Sequence, residues 1–146
     1  MRTRWLILFA VAASLAASPQ NTLDKLKADA EKAHGGQQAK LYAQVADKLV
    51  DVADQQFTAA KSVEGLATVQ DVLQYATKAH DIALNTHDDR KQVEILLRQT
   101  QRHLETVRRT LAAEDRPEVQ QVEKKLEQYR QELMDSMFAP KKKDNK

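Results

Sequence analysis

The chain has 146 residues, 42% apolar and 30% charged, with three Gly, three Pro and no Cys. Average usage would place about 17 Gly and Pro residues in a chain of this length, and strand-and-turn folds depend on them, so all-β sandwiches and α/β nucleotide folds are disfavoured. The missing cysteine removes disulfides, Cys-ligated zinc, iron–sulfur clusters, thiol nucleophiles, thioether-attached haem and a cysteine lipid anchor.

The first residues read as an address. Met1-Arg2-Thr3-Arg4 is a basic start, Trp5 to Ala13 an apolar run, and Ser14-Leu15-Ala16 a small-x-small cleavage motif, the three parts of an export signal. Residues 1–17 are therefore expected to be cleaved after Ala16 or Ala17, which places the protein in the periplasm or outside the cell. The apolar run meets Ser18-Pro19 before reaching the ~20 residues of a membrane span, so no stable span is expected after cleavage. Loss of Arg2 and Arg4 brings the 23 basic residues level with the 21 acidic ones. Without a net basic surface, nucleic acid is not an expected partner. Residues 18–139 form the expected domain, and the basic stretch 140–146 a frayed tail.

Beyond the signal, apolar residues recur at intervals of three and four, the helical period. A short helix over 22–34 carries Leu23, Leu26, Ala30 and Ala33, opens at Asn21 or Thr22, and closes at His34-Gly35-Gly36. A second, from Gln37 to about Lys61, carries Leu41, Tyr42, Val45, Ala46, Leu49, Val52, Ala53, Phe57 and Ala60. Ser62 is a candidate cap for a third, with Leu66, Val69, Val72, Leu73, Ala76, Ala79 and Ala83. The very short turn between them predicts an antiparallel hairpin. Asn85 to Asp89 is the next break, and Thr86 with Asp89 has the spacing of a capping box. The fourth helix holds Val93, Leu96, Leu97, Thr100, Leu104, Val107 and Leu111, with Glu94–Arg98 and Glu105–Arg109 as i,i+4 pairs, each worth a few tenths of a kcal/mol. Pro117 suits the first turn of a fifth helix, whose Val119, Val122, Leu126, Tyr129, Leu133 and Met137 approach a coiled-coil seam.

Four long helices of matched length joined by short turns predict an all-α fold, an up-down antiparallel bundle with the short N-terminal helix added across one groove. Open hairpins, with the fifth helix mating to a second copy of the chain, are the alternative. Ala53, Phe57 and Ala60 match part of a tetratricopeptide repeat, but Gln44 stands at its aromatic position and no break divides residues 38–61, so that regular repeat is not expected.

Four histidines are the sparingly used candidates for chemistry. His80 and His87 lie two turns apart, about 10.5 Å along one helix, too far for one ion. His87 with Asp88 or Asp89 at the helix junction is the remaining metal candidate. Residues 31–34 have the Glu-x-x-His spacing once, where a di-metal bundle needs two inward-facing copies. Met134 and Met137 could reach haem only opposite a histidine, and Met in an apolar stripe is core. No nucleophile stands beside a base and no Gly-rich phosphate loop exists, so neither an enzyme nor a resident cofactor is expected. Residues 90–111 hold six basic and two acidic side chains. Arg98, Arg102, Arg108 and Arg109 either complement acidic helices within the bundle or face an anionic polymer or acidic protein. Leu126, Tyr129 and Leu133 are the corresponding candidates for a helix partner or homo-oligomer contact. The leading expectation is an exported structural or interaction module, with a small-ligand or metal-binding bundle built on His80 and His87 as the rival.

Overall fold

A computed structural model describes residues 18–139; the signal (1–17) and the basic tail (140–146) expected above lie outside them. Five α-helices follow one another, α1 (Pro19–Lys32), α2 (Gly35–Thr58), α3 (Ser62–Thr86), α4 (Arg90–Thr110) and α5 (Arg116–Phe138), with no strand among the described residues. The fold is the expected all-α helical bundle. α1 is short and packs on α2, while the other four are long.

Each long helix reverses the direction of the one before it, and the helices pair as two hairpins, α2 with α3 and α4 with α5. The hairpins lie side by side, so that α2 runs along α4 and α3 along α5 in parallel, while α3 and α4 approach across the diagonal. Contacts along the length fix this register: Lys40 meets Asp89 and Asp47 meets His103 between α2 and α4, and Gln70 meets Glu118 and Thr77 meets Tyr129 between α3 and α5. The buried positions of the two hairpins also correspond at one constant offset. Ala39, Ala43, Ala46, Val50 and Ala53 of α2 match Val93, Leu97, Thr100, Leu104 and Val107 of α4. In the same register Gly65, Thr68, Val72 and Ala79 of α3 match Val119, Val122, Leu126 and Leu133 of α5.

Side-chain size distinguishes the hairpins. The α2–α3 seam is lined by Ala39, Ala43, Ala46, Ala53, Ala76, Ala79 and Ala83, all fully enclosed, and such short side chains let helix axes approach closely. Between α4 and α5 the space is filled instead by Leu97, Leu104, Leu126 and Leu133, likewise without exposed surface. Val119, Val122, Leu126, Tyr129 and Leu133 of the α5 seam are thus consumed inside the chain against α3 and α4, while Met137 remains partly exposed.

Four helix starts differ from the sequence-based expectation. Gly35 and Gly36, expected to close the first helix, instead open α2 two residues before Gln37, and α1 ends at Lys32. α1 begins at Pro19 rather than Thr22, because Ser18 caps it, accepting from the Asn21 N–H at 3.4 Å, with Pro19 in the first turn, a favourable pairing at a helix start. Ser62 is already helical and caps nothing; the N-cap position falls on Lys61. The Thr86–Asp89 capping box does not form. Asp89 is left-handed at φ 55° and gives no side-chain cap to α4, while the Thr86 hydroxyl donates to the Ile82 carbonyl one turn back at 2.8 Å. The Asp88 and Asp89 side chains lie instead against Gly36, in the first turn of α2, where a helix N-terminus favours negative charge. A Cβ on Gly36 would meet the Asp88 Cβ at 2.9 Å and the Asp89 Cβ at 3.0 Å, so glycine is required by close approach.

Candidate functional site

A polar cluster lies where α3 runs along α5. His80 is only 5% exposed, and its ring stacks on that of Tyr129 with centroids 4.3 Å apart and planes 23° off parallel. Nδ1 is hydrogen-bonded to Asp81 Oδ1 at 2.8 Å. Nε2 is fully enclosed and lies 2.7 Å from Glu132 Oε2, in contact but without a directed hydrogen bond. The Tyr129 hydroxyl continues the network to the Thr77 hydroxyl at 2.9 Å, and Lys125 Nζ lies 5.5 Å from the Tyr129 ring centre. His80 sits at the edge of the apolar face of α3, where α5 closes over it with Tyr129 and Glu132.

A second histidine occupies the equivalent joint between α2 and α4. His103 lies 3.4 Å from Asp47 through Nδ1 and 3.5 Å from Asp51 through Nε2, in a half-exposed setting that also includes the Lys48–Asp51 pair. Each parallel joint between the hairpins therefore holds an imidazole between two carboxylates. The carboxylates flank opposite nitrogens of each ring, so neither arrangement chelates a single ion. His87 is exposed in the left-handed residue that ends α3, Asp88 is exposed beside it, and neither joins His80. Among the described residues no three His, Cys, Asp or Glu side chains converge as metal ligands.

The arginines of α4 divide. Arg98 grips Glu94 through Nε and Nη2, Arg108 Nε meets Glu123 at 2.6 Å, and Arg109 pairs with Glu105. Arg102 is exposed and makes no ion pair among the described residues. Leu126 and Leu133 are fully enclosed and Tyr129 is 8% exposed, which places all three in the core beside the His80 cluster. Compared with known proteins, the chain matches no family model, no curated sequence and no solved structure. Its functional reading therefore rests on the residues themselves.

The burial of Glu94 and Glu123 escaped sequence reading. Glu94, 3% exposed, accepts from Arg98 and also from Arg130 Nε at 3.0 Å, while Arg130 Nη1 reaches Gln101 at 2.6 Å. In sequence only the i,i+4 half of that link is visible. Glu123, 7% exposed, is pushed above its ordinary value by burial, against the opposing pull of Arg108. On the other side of the molecule the Tyr75 hydroxyl is pushed up by burial and then by Glu31 and Asp71. Lys78 Nζ lies 5.0 Å from the Tyr75 ring centre and 5.3 Å from that of Tyr42.

Open clefts among the described residues include three. One of about 430 Å³ runs between α1 and α2, lined by Leu23, Val52, Lys48, Asp51, Asp54 and Gln55 among others. One of about 280 Å³ opens between Phe57, Ser62, Thr110 and Asp115. The third, about 550 Å³, lies at the opposite end between His87, Arg90, Lys91, Ser136 and Met137.

Proposed function

We propose that the chain is an exported helical interaction module that acts as a scaffold or adaptor without catalysis or a resident cofactor, in the periplasm or outside the cell. The observation that carries this reading is the side-by-side stacking of two helical hairpins whose buried positions correspond at a constant offset. Stacked hairpins of this kind are built to offer extended solvent faces to partners. The partner favoured is an acidic protein or anionic polymer reached through Arg102, an exposed α4 arginine without an ion pair among the described residues.

A second reading, a metal- or small-ligand-binding bundle, draws on the enclosed His80 Nε2 beside Glu132. Thermal melting followed by circular dichroism, with and without zinc and haem, separates the two. The module predicts high helicity and an unmoved transition, together with a partner captured from the exported fraction by the wild type and lost on Arg102→Glu. Stoichiometric metal or a Soret band on the purified protein overturns it.

A further inference from the structure

We propose that the cleft at the end of the bundle where α2 turns into α3 and α4 into α5 binds a primary ammonium group on a short aliphatic stem, with the Asp115 carboxylate as its counter-ion. The cleft holds about 280 Å³ and is lined by Phe57, Thr58, Ser62, Thr110, Leu111 and Asp115 among others. That volume falls just under the usual range of about 300–1,000 Å³ for small-molecule pockets, so the ligand is one of few heavy atoms.

Asp115 is what sets this cleft apart. It is 9% exposed, yet its carboxylate enters no hydrogen bond or ion pair among the described residues, and at the N-cap of α5 it gives that helix no side-chain cap. A carboxylate so deeply buried ordinarily has a partner. The backbone holds it in place, because the Asp115 N–H donates to the Ala112 carbonyl at 3.1 Å and closes the turn after α4. The neighbouring Arg116 turns to the Leu111 carbonyl instead, donating from Nε at 2.9 Å.

The charges around the cleft favour a cation. Glu64, Glu114 and Glu118 stand about this end with Asp115, against Lys61 and Arg116. Arg108 and Arg109, in the last turn of α4, are taken by Glu123 and Glu105. The N-termini of α3 and α5 are each met by an acidic residue in the first turn, Glu64 and Glu118. The C-terminus of α2 has no basic residue in its last turn, so the partial negative charge of its terminal carbonyls goes uncompensated at Thr58.

An ammonium carries three N–H donors and no acceptor, and acceptors are what the cleft presents. The Thr110 hydroxyl donates to the Val107 carbonyl at 2.8 Å, which leaves its lone pairs to accept, and Thr58 and Ser62 add two more hydroxyls. Leu111, 5% exposed, and the Phe57 ring form the apolar wall that shelters a stem. The ring lies close over α3 because residue 65 is glycine; a Cβ there would come within 2.6 Å of it. A calcium ion fits less well, since it takes roughly six to eight oxygens, commonly with several carboxylates among them, and Asp115 is the one carboxylate lining the cleft among the described residues. The inference needs neither the Arg102 surface nor the His80 cluster, because neither residue lines this cleft.

Titrating the purified protein with 1,4-diaminobutane at constant ionic strength, followed by amide NMR shifts, tests the site. Amides of residues 57–62 and 110–116 should shift together and saturate, and 1-butanol should move neither group. Asp115→Asn retains a good N-cap side chain and removes the charge, so it should leave the thermal midpoint nearly unmoved and weaken binding about ten-fold or more. Glu64→Gln, outside the cleft, should change affinity at most a few-fold. Nα-acetyl-lysine methylamide distinguishes the two sources of an ammonium: tighter binding than the diamine assigns the site to a lysine side chain of another protein, and weaker binding to a free amine. No saturable shift with either amine, equal binding of 1-butanol, or wild-type affinity in Asp115→Asn overturns the proposal. Calcium chloride moving the same amides at lower concentration than the amines would overturn it too, and would assign Asp115 to a metal.

Discussion

Replacing Arg130 with Met tests whether the buried Glu94 carboxylate is held by two arginines or adequately by one. Glu94 is 3% exposed, and its Oε1 accepts from Arg130 Nε at 3.0 Å and from Arg98 Nε at 3.2 Å. Removing one partner of a buried ion pair costs about 3–5 kcal/mol when nothing replaces it. Arg98 remains, but its side chain is 41% exposed, so water screens what it can return. The expected loss is therefore about 2–3 kcal/mol, or roughly 6–12 °C in the melting midpoint of a domain this size. Glu94→Leu combined with Arg130→Met should recover more than half of that, because no charge is then left buried, while Arg98 can turn to water. Chemical denaturation of the two singles and the double measures both quantities. A single Arg130→Met within about 0.5 kcal/mol of wild type, or a double no better than the single, would refute the reasoning.

Gly36→Ala should destabilise by about 1–3 kcal/mol despite the better helix propensity of alanine, because the new methyl meets Asp88 and Asp89; a gain in urea midpoint would show that the turn yields freely. Leu126→Asp, at a position with no exposed surface, should unfold the whole domain cooperatively, and a wild-type dimer dissociating to a still-helical monomer in sedimentation would instead make α5 an intermolecular surface. Burial raises Glu123 above 4.5, so the folded state holds that proton more tightly than the unfolded chain, and its stabilising contribution is complete below 4.5 and lost as pH rises through the raised value. Glu123→Gln should accordingly gain on wild type as pH rises above 4.5, and a flat or opposite difference in denaturation midpoints would show that Arg108 outweighs burial.

The helices were legible because their stripes repeat at three and four residues, and the short turn after Ala60 announced the first hairpin. How the hairpins pair was not, since periodicity reports which face of a helix is apolar but not which neighbour covers it. The constant offset between them was hidden for a related reason. Ala43 and Leu97, or Thr68 and Val122, fill equivalent places with different volumes, so the correspondence survives in burial and not in residue identity. Polar partners divided in the same way. Glu94–Arg98 and Glu105–Arg109 are visible within one helix, whereas Arg130 to Glu94, Arg108 to Glu123 and Glu132 to His80 join separate helices. His80 was legible as a sparingly used candidate, but the carboxylate awaiting it on α5 was not.

The polar joints between the hairpins have a consequence for how the molecule opens. Each hairpin closes an apolar seam across a short connection, Ala59 to Lys61 in the first and Leu111 to Asp115 in the second. The two plates meet along joints whose margins carry His80, His103, Asp47, Glu132 and Gln70. Cooperative sub-units of a protein separate first where hydrated contacts are most numerous. Amide hydrogens along α2 and α3 should thus exchange as one slow group, and those of α4 and α5 as another. The lowest-energy excursion is then a parting of the plates about residues 87–89, like a book opened at its spine.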